Sequence, residues 1–239
     1  MNRQFYSPPL TKTNRNLLIV LGIFFIAEKI IGASMGFSLQ SVLGLSYRGV
    51  LSGGFFQFFT YPIVQHGFLS AIFNGLIIWF LGGELESLWG PRKYLLYMFV
   101  SSLIGGVIYF IASAIFPKFG NFPFVGITGI IMSLCMAYGL RFQERMMSFM
   151  FFFPMKAKYF CMMIVGLEVL FAFAPGYGLA PVGHLGAMLA GFLFLRLPAG
   201  GLGNFLKREK KSVQERNKKR NFYIVKDEND ENDQPKYWQ

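Results

Sequence analysis

Charged side chains are few in this chain: they make up 15% of its 239 residues, against about a quarter in an ordinary soluble domain. That shortage excludes a water-soluble globular protein. Cysteine is rarer still. Cys135 and Cys161 are the only two; both fall in apolar stretches and offer neither a disulfide framework nor metal-ligand spacing, so they read as packing residues. No internal repeat is apparent, which argues against a transporter built from duplicated halves. A cleavable signal peptide is not visible either. The residues before the first apolar span are polar and proline-containing, and no small-residue cleavage site stands out, so that span is expected to remain as an anchor.

What the chain has instead is apolar surface. Hydrophobic residues reach 54% and aromatics 18%, with a positive mean hydropathy, the composition of an integral, multi-pass membrane protein. Six spans are predicted, at about 17–37, 68–83, 94–116, 123–140, 158–174 and 183–197. The short ones fall below the roughly 20 residues that cross a hydrocarbon core, so tilt, extension at the ends or shelter by neighbouring protein is expected of them. Glu28 and Lys29, adjacent in the first span, would pair with each other, snorkel or face the bundle.

Basic residues set the orientation. Arg3, Lys12 and Arg15 precede the first span, Arg92 and Lys93 follow the second, and Arg141, Arg145, Lys156 and Lys158 follow the fourth, whereas the alternate loops hold only Arg48 and Lys118. The tail from Gly203 onward adds ten more on the crowded side. Both termini are therefore expected in the cytoplasm. The tail divides into a basic run at 207–220, "KREKKSVQERNKKR", suited to anionic headgroups or simply to solubility, and an acidic run at 227–233, "DENDEND". The net charge of +11 comes mostly from the first run, which reads as a signal for membrane lipid and not for nucleic acid.

With that orientation, spans two, four and six begin on the outer side, and each begins with polar groups. "QHGFLSAIFNG" gives His66, Ser70 and Asn74 at four-residue spacing, along one helix face. "VGITGI" sets Thr128 beside Gly126 and Gly129, and "GHLGAMLAG" brings His184 with a stripe of Gly183, Ala187 and Gly191 that allows close helix approach. His66 and His184 are the only histidines. Each motif alone fits helix packing or a buried hydrogen bond. Together they bring a hydroxyl, a base and oxyanion donors to one depth.

The stretch "FFQFFTYPIVQHGFLSAIFNGLIIWFLGGELESLWGPRKYLLYMF", followed in order by "GITG", "FFFPMKAKYF" and "GHLGAMLAG", resembles the rhomboid intramembrane serine proteases. The spacing of Gly82, Glu86 and Gly90 belongs to the same resemblance, which covers about 17–198. It implies an all-α membrane protein: a rhomboid-like bundle of six transmembrane helices at 17–198, between an N-terminal tail at 1–16 and a charged C-terminal tail at 199–239, both cytoplasmic. It implies Thr128 at the nucleophile position, His184 as the base, and Asn74 as an oxyanion donor with backbone N–H groups. The family's oxyanion histidine falls on Ser70, and His66 corresponds to the family's preceding histidine after a one-residue shortening. The loop at about 38–63 would be the partly membrane-embedded one. No cofactor and no metal are implied, and no carboxylate is evident to orient the base, in keeping with a dyad. The membrane would be a plasma or inner membrane.

Two departures fall on the working centre. Threonine keeps the hydroxyl but adds a methyl that restricts χ1 and crowds the attacking oxygen. Ser70 is shorter than an imidazole, and loss of one good oxyanion donor costs about a hundredfold to a thousandfold in rate. The expectation is an intramembrane endopeptidase of weakened activity acting on transmembrane protein substrates; the alternative is an inactive rhomboid-like protein that binds transmembrane clients. A small-solute transporter also fits six spans and intramembrane histidines, but gains nothing from the ordered motifs.

Overall fold

The structure, a computed structural model, describes residues 10–36, 38–65, 67–118, 122–149, 153–174 and 176–197. His66 and both runs of the C-terminal tail lie outside the described residues. The first helix, α1 (Lys12–Met35), stops at Gly36, whose φ of 61° is the left-handed conformation that closes a helix. Glu28 turns inward and accepts from Gln40 Nε2 at 2.8 Å, while Lys29 stays exposed over the Phe25 ring.

Three short helices follow: α2 (Leu39–Leu43), α3 (Tyr47–Leu51) and α4 (Gln57–Thr60). Side chains replace the regular backbone ladder that such an irregular segment lacks. Gln57 accepts from Ser46 N–H at 3.1 Å and donates to the Val42 carbonyl at 2.9 Å, and Thr60 donates to the Leu43 carbonyl at 2.8 Å. Leu45, Val50 and Tyr61 face inward, whereas Leu51, Phe55, Phe56 and Phe59 are exposed.

The next helix, α5 (Phe68–Ile77), passes through a π-helical turn (Ile78–Gly82) into α6 (Gly83–Trp89). The predicted span ends at 83, before two acids; the helix runs on because both acids find partners. Glu84 accepts from Tyr138 Oη at 3.0 Å and from Arg145. Glu86 is buried and accepts the Thr11 hydroxyl and, at 3.3 Å, the Asn14 N–H, so it caps the start of α1. Gly90 (φ 77°) then turns the chain into α7 (Pro91–Ile115), with proline at its first position, where a missing N–H costs nothing.

Three further helices complete the bundle: α8 (Thr128–Arg141), α9 (Ala157–Phe173) and α10 (Ala180–Arg196). Among the described residues the fold departs from all-α at a short hairpin. Between α8 and α9 the strands β1 (Met146–Phe149) and β2 (Phe153–Lys156) pair antiparallel, with Met146 opposite Lys156. Pro154 lacks a donor and disfavours helical geometry in the residue before it, so this Phe- and Met-rich run does not extend either helix. At the hairpin base Lys156 and Lys158 both reach Glu144, and their hydrogen bonds hold its carboxyl down at about 2.

Among the described residues, three helices are long and apolar enough to cross a membrane: Lys12–Ser34, Phe68–Trp89 and Pro91–Ile115. The 14 residues of α8 do not suffice, at about 21 Å by the rise of a helix, but α8 is walled in by its neighbours and keeps Ile131, Leu134 and Ala137 fully buried. A polar knot joins α7, α8 and α10. Tyr97 Oη donates to the Ser133 carbonyl at 2.7 Å, Ser101 and Ser133 hydroxyls lie 3.0 Å apart, and Gly191 sits directly against them.

Candidate active site

Residues 123–127, predicted as the first turn of a helix, are not helical. Phe124 instead pairs with Leu45 through backbone bonds of 2.8 and 2.9 Å, and Gly126, at φ 101°, donates its N–H to the Tyr61 carbonyl at 2.9 Å. Only glycine adopts that φ readily, so the chain is held extended until Ile127 caps α8. Thr128 is therefore the first residue of α8, half-buried, and not one several residues deep in a span. The first intrahelical bond runs from Ile131 N–H to the Ile127 carbonyl. The N–H groups of Thr128, Gly129 and Ile130 are left without intrahelical acceptors, at the positive end of the helix.

Asn74, buried on α5, faces this helix start. Its Nδ2 lies 3.4 Å from Thr128 Oγ1, 3.3 Å from Ser70 Oγ and 3.1 Å from Gln65 Oε1. Two amide hydrogens serve three acceptors. Gln65, which the sequence reading does not single out, is 2% exposed, and its carbonyl accepts from Gln40, the residue that also holds Glu28. An apolar cleft between α1 and α5, walled by Leu18, Phe25 and Phe68, ends at Gln65 and Asn74.

From the other side comes His184, in the second turn of α10. A Cβ built on Gly129 would sit 3.4 Å from His184 Cδ2 and 3.8 Å from His184 Cα, so the Cδ2 edge of the ring lies against the second residue of α8. Phe124 packs on the ring at a centroid distance of 5.5 Å, and is itself stacked between Tyr61 and Tyr109 at 4.9 and 4.6 Å. No hydrogen bond joins Thr128 and His184 among the described residues. On its opposite edge, His184 Nδ1 lies 3.2 and 3.3 Å from the two oxygens of Glu168. The expectation of no carboxylate beside the base is thus corrected. The signal was present: an acid inside an apolar span is a functional candidate by default.

The small residues of α10 meet two helices, not one. Ala187 approaches Gly129 of α8 and Gly105 of α7, Gly183 faces Phe124, and Gly191 faces both Ser133 of α8 and Tyr97 of α7. Cys135 and Cys161 are buried and unbonded to each other. Among the described residues no group of three or more potential ligands could hold a metal ion. The chemistry available is that of a hydroxyl, an imidazole, an amide, a carboxylate and unpaired backbone N–H groups.

A family model described as the Rhomboid domain matches residues 52–198, a stretch that contains Gln65, Asn74, Thr128, Glu168 and His184.

Proposed function

The chain belongs to the rhomboid family of intramembrane proteases and pseudoproteases and is an integral membrane protein, and from that premise we propose that it is an intramembrane endopeptidase with Thr128 as nucleophile and His184 as base. The observation that supports the reading is the approach of Asn74 on α5 and His184 on α10 to the first turn of α8. Asn74 Nδ2 stands 3.4 Å from Thr128 Oγ1, unpaired N–H groups lie at the start of α8, and the His184 ring covers the neighbouring Gly129.

In the reaction, His184 takes the Thr128 proton as Oγ1 attacks a peptide carbonyl carbon, and the carbonyl electron pair moves onto oxygen. Asn74 and the N–H groups of the first turn of α8 receive that charge. The imidazolium then protonates the departing amine, and water, activated by the same ring, hydrolyses the ester. The substrate is a transmembrane segment that unwinds locally, because an intact helix hides its carbonyl carbons. In this reading six spans cross the bilayer, the N-terminal ends of α8 and α10 open to the outer side, and both termini are cytoplasmic, as the basic residues ask.

A second reading, an inactive binder of transmembrane helices, is favoured by the absence of a Thr128–His184 hydrogen bond and by the methyl beside the nucleophile. Cleavage of a reporter transmembrane substrate at equal folded abundance separates the two. Thr128→Ser is expected to raise the rate, Thr128→Ala and His184→Ala to abolish it, and Asn74→Ala to lower it by about a hundredfold or more. If neither wild type nor Thr128→Ser cuts substrates that bind, and binding survives His184→Ala, the binder reading holds.

A further inference from the structure

We propose that Glu168 is a positioning residue for His184: its carboxylate accepts from Nδ1–H and so leaves Nε2, the nitrogen bonded to the Cδ2 that faces Gly129, free to take the Thr128 proton. The inference rests on the reading of Thr128 and His184 above and extends it from a pair to a set of three.

Three observations carry it. Nδ1 is nearly equidistant from the two carboxylate oxygens, at 3.2 and 3.3 Å, so the contact is to the charged group as a whole. Glu168 is 6% exposed, and His184 is its only polar partner among the described residues. A buried carboxylate with a single partner is costly to maintain as mere packing. The ring is also clamped in orientation. Phe124 lies on it, Gly129 receives the Cδ2 edge, and Nδ1 points away from α8 toward α9.

The chemistry follows from the imidazole. A neutral ring carries one N–H; with that hydrogen held on Nδ1 by a carboxylate, the lone pair is on Nε2. When Nε2 accepts the Thr128 proton, the ring becomes a cation 3.2 Å from Glu168. The carboxylate stabilises that cation and keeps its own charge; it takes no proton. Position supports the pairing. Glu168 is five residues before the end of α9 at Phe173, and His184 is four residues after the start of α10 at Ala180. Antiparallel neighbours joined by a short connection bring such positions to the same depth.

The test reads the tautomer directly. In a His66→Gln background His184 is the only histidine, and nitrogen-15 NMR of the histidine-labelled protein, at a pH where the ring is neutral, reports which nitrogen carries the hydrogen. The Nδ1–H form is expected with Glu168, and a shift toward the Nε2–H form in Glu168→Leu; Glu168→Met, unbranched like glutamate and without an acceptor oxygen, is the variant to use if the leucine protein does not fold. In reporter cleavage with His66 intact, Glu168→Leu is expected to lower kcat by about a hundredfold or more with KM nearly unchanged, and Glu168→Gln by less. An Nε2–H ring in the presence of Glu168, a tautomer unchanged when the acceptor is removed by Glu168→Leu or Glu168→Met, or a kcat unchanged by that removal overturns the proposal. Cleavage that ignores Thr128 while the tautomer still follows Glu168 removes the nucleophile and keeps the ring orientation.

Discussion

Gly191 leaves no room for a methyl group. A Cβ there would come within 2.1 Å of Ser133 Oγ and 2.2 Å of Tyr97 Oη, inside a knot whose hydrogen bonds already fix both hydroxyls. Gly191→Ala is expected to destabilise the folded protein by about 1–3 kcal/mol, as overpacking does. Gly22→Ala, where nothing lies within 4 Å, is expected to be neutral or slightly stabilising. Thermal unfolding in detergent compares the two. The small-residue stripe was legible as a stripe because its spacing puts it on one helix face. Which neighbours it meets was not, because periodicity names a face and never the helix opposite. Glu168 was legible in principle: its partner sits 16 residues on, beyond the reach of helical spacing, and only the turn between α9 and α10 brings them together.

At the scale of elements, the hydropathy pattern found the apolar helices and misplaced their ends for identifiable reasons. The second span outran its prediction because Glu84 and Glu86, unfavourable in lipid, are partnered within the protein. The fourth began late because Gly126 and the Phe124–Leu45 pairing hold the preceding residues extended. The β1–β2 hairpin was hidden by its own hydrophobicity. Glu86 gives the testable case. Glu86→Ala leaves the Thr11 hydroxyl and the Asn14 N–H without their acceptor, and a loss of about 1–3 kcal/mol is expected. A double-mutant cycle with Thr11→Val should show coupling of about 0.5–3 kcal/mol, since the two share one contact. Additive losses would mean that the Thr11 hydroxyl contributes nothing to the Glu86 cap.

Across the whole molecule, the irregular 38–65 segment meets the membrane helices at several places, and one aromatic ring ties that contact to the candidate site. Phe124 is bridged to Leu45, stacked between Tyr61 and Tyr109, and packed on His184. Phe124→Ala is expected to cost about 3–5 kcal/mol as a large buried truncation, and to lower cleavage beyond the loss of folded protein because it frees the His184 ring. Phe122→Ala, at a side chain 68% exposed, should do neither. Reporter cleavage normalised to folded abundance measures both. Membrane class and the order of the motifs were readable from composition and spacing. This junction was not, since it depends on residues far apart in the chain meeting at a loop.

The π-helical turn at Ile78–Gly82 gives the second span a spare residue. A π turn holds one residue more than an α turn, so removing Trp79 or Phe80, 36% and 38% exposed, would convert it to ordinary helix without rotating Asn74 against Glu86. Elsewhere a one-residue deletion swings everything beyond it by about 100° around the helix axis. Deleting Phe80 should therefore preserve folding, whereas deleting Leu96 from α7, which has no such turn, should abolish it. Length variation along this span has one place where it can be absorbed, and that place lies between the site and the α1 cap.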